Sequence, residues 1–295
     1  MAGSLFSING GIVPEAQAVV PVTNRGFLYG DGLFETLHAY GAKLFRLDEH
    51  LRRLAAGAER LGFNPPLKLT RLAAWVREAT TAASFAEANV RLVVTRGDGP
   101  PGPSPLGHFE PWVLVTVGQH ARPAAERFTQ GVAAIIASFR RQEAAATATL
   151  KTLNYLEQIL ARREADLAGA DEALLLNNAG LLCEGSASNI SIIRGGTLLI
   201  PDPLRCGALP GVAQATAIEA ALNLQLPVRH ASLSTWDLYE ADEAFLSGSM
   251  RELTPLVKVG ERAVGPGRPG PLTARILAEY RRIVERECRP FEFPK

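Results

Sequence analysis

The chain has 295 residues, 47% of them apolar and 21% charged, with 31 Lys and Arg set against 30 Asp and Glu for a net charge of +1. That composition excludes the disordered and membrane classes, and a near-neutral charge leaves no field to draw a polyanion, so nucleic acid is not an expected partner. The length suits two domains sharing a cleft or one large α/β domain.

The chain starts without a basic leader, and no later apolar run is long enough to span a bilayer, so a cytosolic location is expected. Cys183, Cys206 and Cys288 are odd in number and far apart, which suits free thiols in a reducing compartment better than a disulfide framework. The five histidines are scattered, and their spacing predicts no metal site.

In chain order, Leu5 to Ile8 and Gly11 to Val13 flank an Asn-Gly-Gly turn and predict a β-hairpin. Leu33 to Tyr40 and Lys43 to Arg46 predict a second, turning at Gly41. A helix is expected over Asp48 to Leu61, where Leu47, Leu51, Leu54, Ala58 and Leu61 recur at helical spacing, and another over Thr70 to Ala83. Strands are expected at Val90 to Thr95 and Trp112 to Val117, enclosing a Gly/Pro-rich loop, Gly97 to Gly107, placed to overhang a site. Gln119 to Ala125 lacks apolar periodicity and contains Pro123. It therefore reads as a linker (119–125) between a small N-terminal domain (1–118) and a larger C-terminal one (126–295). Short strands then alternate with helices at about Leu153 to Ala168, Val212 to Leu224 and Leu272 to Glu287. On the last, Arg281, Arg282 and Arg286 interleave with Glu279, Glu285 and Glu287 as a solvated face.

Several common motifs are excluded. Gly30-Asp-Gly32 lacks the third glycine and following helix of a dinucleotide loop, no Gly-Lys-Ser/Thr marks a P-loop, and Gly185-Ser-Ala-Ser-Asn189 lacks the second glycine of a nucleophile elbow.

Three segments carry a family resemblance: Arg25-Gly-Phe-Leu-Tyr-Gly-Asp-Gly-Leu-Phe-Glu35, Leu150-Lys-Thr-Leu-Asn-Tyr-Leu156 and Glu184-Gly-Ser-Ala-Ser-Asn-Ile190. They are followed by Leu209-Pro-Gly-Val212 and Ser247-Gly-Ser-Met-Arg-Glu-Leu-Thr-Pro255. Together, in this order and across most of the chain, they resemble the class IV aminotransferase family. These are fold-type IV pyridoxal 5′-phosphate enzymes, including branched-chain and D-amino acid aminotransferases and aminodeoxychorismate lyase.

The resemblance implies an α/β fold of two domains, a homodimer and pyridoxal 5′-phosphate as cofactor. It assigns Lys151 as the amine that holds the cofactor aldehyde and shuttles a proton, in an apolar setting that favours a neutral amine. Glu184 becomes the carboxylate at the pyridine nitrogen. Arg53, Gly211, the amides of Val212 and Ala213 at a helix start, Gly248 and Ser249 are implied for the phosphate. The family commonly has Thr where this chain has Ala213. Ser188 and Asn189 are carried over as cofactor residues. Tyr155 either donates to the cofactor's phenolic oxygen or packs as a core aromatic. Tyr29, Phe34, Glu35, Arg91 and Met250 are implied for the substrate side, although alternation along the strand leaves open whether Leu33 or Phe34 is plain core.

The implied reaction is transfer of an amino group between an amino acid and a 2-oxo acid. The alternative is lysis of aminodeoxychorismate to 4-aminobenzoate and pyruvate, because Leu150-Lys-Thr-Leu-Asn and Leu156-Glu-Gln-Ile-Leu160 are also similar to lyase members. The Arg-x-His carboxylate trap of the D-amino acid enzymes is absent. Asn89-Val90-Arg91 stands where branched-chain enzymes have Tyr-x-Arg, which leaves Arg91 able to meet a second carboxylate. A non-catalytic binding protein on the same fold is a third reading, opposed by the presence of both Lys151 and Glu184.

Overall fold

The computed structural model describes residues 3–288. It divides into two compact units. Of the described residues, the first comprises 3–121, Leu150–Asn154 and 287–288, and the second comprises Arg122–Thr149 and Tyr155–Arg286.

The first unit is an antiparallel sheet with helices on one face. Its elements are β1 (Leu5–Ile8), β2 (Gly11–Val13), α1 (Arg25–Tyr29), β3 (Gly32–Tyr40), β4 (Lys43–Leu44), α2 (Leu47–Arg60), α3 (Leu69–Ala83), β5 (Glu87–Thr95) and β6 (Trp112–Gln119). The strand order is β2-β1-β6-β5-β3-β4. The first hairpin turns where expected: Ile8 pairs with Gly11, and Asn9 and Gly10 both take positive φ, 50° and 89°. A side chain at Gly10 would strike the Trp75 ring, with a Cβ only 2.0 Å from its Nε1.

Side chains alternate across this sheet with period two. Leu37 and Ala39, Ala88, Val90, Leu92 and Val94, and Val113, Val115 and Val117 face α2 and α3. There they meet Leu47, Leu51, Leu54, Leu72 and Val76 in one core. Each fully buried Leu or Val contributes roughly 1.5–3 kcal/mol. β5 begins three residues before the expected Val90, because Glu87 and Asn89 sit on the opposite face from that core and read as loop in sequence.

The second unit contains α4 (Glu126–Thr129), β7 (Val132–Arg141), α5 (Leu156–Leu167), β8 (Glu172–Asn177), β9 (Leu182–Gly185), β10 (Asn189–Arg194), β11 (Thr197–Pro201), α6 (Pro203–Cys206), α7 (Val212–Asn223), β12 (Val228–Ala231), α8 (Thr235–Tyr239), β13 (Glu243–Gly248), β14 (Glu252–Val259), β15 (Arg262–Ala263) and α9 (Pro271–Cys288). Its sheet runs β12-β11-β10-β13-β14-β7-β8-β9, with β15 on β14, and it mixes parallel and antiparallel pairs. β9 also pairs with β10 through Glu184 and Asn189, closing six strands into a ring. Leu174, Leu176, Leu182, Ile190, Leu246 and Leu256 of these strands share one core with Leu233 and Leu238.

The three cysteines are free and buried, as their number and spacing suggest. Three basic residues of α9 are paired, Arg281 with Glu252, Arg282 with Glu279 and Arg286 with Glu219. Among the described residues no helix is long and apolar enough to cross a membrane.

Candidate functional site

Lys151 lies in the first unit, in a short segment stitched onto the start of β3. The Phe34 N–H donates to the Lys151 carbonyl at 3.0 Å, the Leu153 N–H donates to the Gly32 carbonyl at 3.0 Å, and Thr152 bridges to Leu33. Bridge pairing to β3 holds residues 151–153 extended, so the helix expected from about Leu153 starts at Leu156. Lys151 is half-buried, and its Nζ sits 4.4 Å from the centroid of the Phe34 ring. The Arg91 guanidinium lies 4.0 Å from the same ring. A ring flanked by two cations is held by cation–π attraction as well as by burial, so Phe34 is a platform for Lys151.

Glu35 points to the other face of β3, and here the expectation needs correction. It is 1% exposed, beneath α2, and does not line a substrate side. Its carboxylate accepts from Arg53 Nε at 2.8 Å and Nη2 at 2.5 Å, and lies 2.7 Å from His50 Nδ1. His50 and Arg53 fall three apart on α2 and so reach the same strand. Burial alone would raise the Glu35 pKa, but the bonds and charges of Arg53 and then His50 outweigh it and bring it down to about 2. Burial pushes the His50 pKa down, against the pull of Glu35, and the charges of Arg53 and Lys151 push the same way as burial. Glu35 therefore orients Arg53 through a two-pronged ion pair.

The loop after β5 is tied down by α1. Arg25, 1% exposed, pairs with Asp31 at 3.0 Å and donates to the carbonyls of Gly102 and Pro103. Arg96 reaches the same Asp31 carboxylate at 2.8 Å. Tyr29, expected on the substrate side, accepts from the Gly102 N–H at 3.0 Å and so serves the loop.

The second group of residues belongs to the second unit. Glu184 ends β9 with its carboxylate buried; one oxygen accepts from the Leu209 N–H at 2.8 Å and the other faces Arg141 Nη1 at 3.1 Å. Arg141 is fixed in turn by the Gly207 carbonyl. Asn189, the cross-strand partner of Glu184, donates to the Leu209 carbonyl at 2.8 Å. A Cβ at Gly211 would come within 1.9 Å of Asn189 Oδ1, so a larger residue there would displace the Asn189 side chain from its bond to Leu209. Gly211 caps α7 without a side-chain bond, and Val212 and Ala213 form its first turn, the part of a helix whose amide groups lack intrahelical partners.

The Ser188 hydroxyl is engaged within the chain. It donates to the fully buried Glu172 at 2.7 Å, together with Ser186, and Arg251 pairs with the same carboxylate at 2.9 Å. Ser188 thus braces the β9–β10 turn. Gly248, Ser249 and Met250 lie half-buried where β13 turns into β14. Tyr155 is neither fully exposed nor core: it is half-buried and lines a groove of about 490 Å³ with Gln158, Ile159, Arg162, Ser186 and Ala187.

Sequence reasoning missed His50, Arg141, Glu172 and Arg251, which hold other residues in place. Arg251 lies within a quoted motif without its role being legible there, and no local motif announces the other three, since each acts across strands or from helix to strand. It also missed a grouping of potential metal ligands: His38, Glu87 and His120 bring one ligand atom each to within 4.8 Å of one another. The linear spacing of the histidines could not show this grouping, because the sheet brings the three residues together.

As a set of chemical groups, a half-buried amine, a buried and anchored carboxylate, a braced arginine and an uncapped helix start fit a phosphorylated pyridine aldehyde. The family described as "Amino-transferase class IV" matches residues 32–259. A D-alanine aminotransferase of Listeria monocytogenes is 31% identical over 296 residues, covering 98% of this chain and 99% of its own. A branched-chain amino acid aminotransferase from T.th., solved with pyridoxamine 5′-phosphate, superposes with a TM-score of 0.90 at 29% identity, covering 97% of this chain and 95% of its own. The 4-amino-4-deoxychorismate lyase of Pseudomonas aeruginosa superposes with a TM-score of 0.85 at 32% identity, covering 94% of this chain and 98% of its own. With the matched span, the shared fold-type IV architecture and these groups in place, the chain belongs to the class IV aminotransferase family.

Proposed function

We propose that the protein is a pyridoxal 5′-phosphate-dependent aminotransferase that moves an amino group between an amino acid and a 2-oxo acid. The observation that carries this reading is Lys151 itself, whose backbone is fixed by sheet hydrogen bonds and whose amine sits on the Phe34 ring rather than on a free surface. The cofactor, when bound, supplies an aldehyde that takes up an amine and a ring that accepts the electron pair released at the substrate Cα.

The chain's own residues then have distinct tasks. Lys151 supplies the amine and carries the proton taken from the substrate Cα. Glu184, anchored by Leu209 and Arg141, presents negative charge to the pyridine nitrogen. Arg53, aimed by Glu35, and the first-turn amides of Val212 and Ala213 bind the phosphate, with the Ser249 hydroxyl as a further donor. Arg91 on Phe34 and Met250 belong to the substrate side, and Arg91 suits a donor with a second carboxylate. Exposed Val19, Val20, Val22, Phe27 and Leu28 support assembly as a homodimer.

A second reading, aminodeoxychorismate lysis, is favoured by the likeness to the Pseudomonas aeruginosa lyase. The two are separated by mixing the holoenzyme with L-glutamate, L- and D-alanine and branched-chain amino acids. Transamination predicts that at least one donor shifts the aldehyde absorbance band to that of the amine form. If no donor does so while aminodeoxychorismate yields 4-aminobenzoate and pyruvate, the lyase reading replaces it.

A further inference from the structure

We propose that His38, Glu87 and His120 form a binding site for a borderline divalent ion such as Zn2+, clipping three strands of the first unit together. The placement follows from sheet register. His38 pairs with Asn89 and Tyr40 with Glu87 across β3 and β5, while Ala88 pairs with Gln119 across β5 and β6. One step further along, the His120 N–H donates to the Glu87 carbonyl at 3.0 Å. His120 therefore sits across from Glu87, with His38 diagonal to it, on the sheet face opposite the Leu37, Val90 and Val115 core.

The chemistry fits a metal better than a chance encounter of polar side chains. His38 Nε2 lies 3.0 Å from Glu87 Oε2, and the two imidazoles meet edge to face with centroids 4.5 Å apart. One ligand atom from each residue falls within 4.8 Å of the others. Ligands about 2.0–2.1 Å from a tetrahedral ion stand roughly 3.3 Å apart, so small side-chain rotations close the gap. Two imidazoles and a carboxylate are a zinc-type donor set, one that leaves a fourth position for water or a substrate oxygen.

Two features separate the cluster from an ordinary surface pair. His38 is 3% exposed and Tyr40 stacks on it at 4.0 Å, so the site has an apolar wall. Glu87 fixes the ring through Nε2, while the buried Nδ1 on its other edge has no hydrogen-bond partner among the described residues, so no protein group there competes for the ring's orientation. His108 and Glu110, also 3.2 Å apart, are by contrast both exposed and have no third ligand atom grouped with them among the described residues.

The test is titration of the full-length holoenzyme, stripped by chelator, with Zn2+ alone in a non-coordinating buffer. Calorimetry reads the stoichiometry, and thermal melts read the protection. One ion per chain and a Zn2+-dependent rise in Tm are expected. Glu87→Gln and His120→Gln should each weaken binding at least tenfold and abolish the rise, while His108→Gln binds as the parent does. Circular dichroism confirms that each variant is folded; should His38→Gln not fold, the Glu87 and His120 variants carry the test. Equal affinity in parent, Glu87→Gln and His120→Gln, or no saturable binding at all, overturns the proposal.

Discussion

Neighbouring residues on β3 do opposite jobs. Phe34 turns one way and carries Lys151 and Arg91 on its ring; Glu35 turns the other way and grips Arg53 and His50. The Glu35 carboxyl, held at about 2 against an ordinary 4.5, contributes stability that is fully present above pH 4.5 and is lost as the pH falls toward 2. His50, with its pKa also lowered, adds to the loss in the same direction below pH 6.5, because the unfolded chain binds its proton more readily. Glu35→Gln should therefore cost about 3 kcal/mol at pH 7, and its gap from the parent should narrow as the pH drops toward 3. Urea unfolding across that range checks this, and a gap constant with pH would show that Glu35 is not ionised in the folded state. Glu184→Gln should still bind the cofactor but lose about 100-fold in turnover, about 2.7 kcal/mol of barrier. Arg141→Met, which leaves the charge but removes its brace, should lose about tenfold in steady-state assays. Near-normal turnover in the Gln variant would remove Glu184 from the ring nitrogen.

At the scale of elements, α1 works as a latch: five residues whose buried Arg25 grips the carbonyls of Gly102 and Pro103 while Tyr29 takes the Gly102 N–H. Arg25→Ala should speed proteolytic cleavage between Gly99 and Gly107 at least tenfold, followed by timed digestion and mass spectrometry. Unchanged cleavage would mean that the loop holds itself. The loop, its length and its Gly/Pro content are readable in sequence, but the latch is not, because Arg25 lies 77 residues from Gly102. The same limit explains the other misses. Hairpin turns and helical repeats are local patterns, and those elements fall close to where the spacing puts them, while the segments around Lys151 and Glu184 are legible as a family resemblance. Strand alternation says that Phe34 and Glu35 face apart but not which face α2 will cover, so Glu35 reads as a substrate residue. Ser188 sits in a motif yet serves Glu172, a partner 16 residues earlier that no spacing rule selects. The apolar residues after Lys151 fit a helix that starts at once; hydrogen bonds to β3 win instead.

At the scale of the whole molecule, the groups assigned to the reaction come from both units: Lys151, Arg53 and Arg91 from the first, and Glu184, Val212, Ala213 and Ser249 from the second. The amine is the group on which all the others depend. The direct test is borohydride reduction of the cofactor-loaded protein, followed by peptide mass spectrometry of the parent and of Lys151→Ala. The account predicts a pyridoxyl label on Lys151 in the parent, and an unlabelled, inactive but folded variant. A label on Lys43, Lys68 or Lys258, or undiminished labelling of Lys151→Ala, would contradict it.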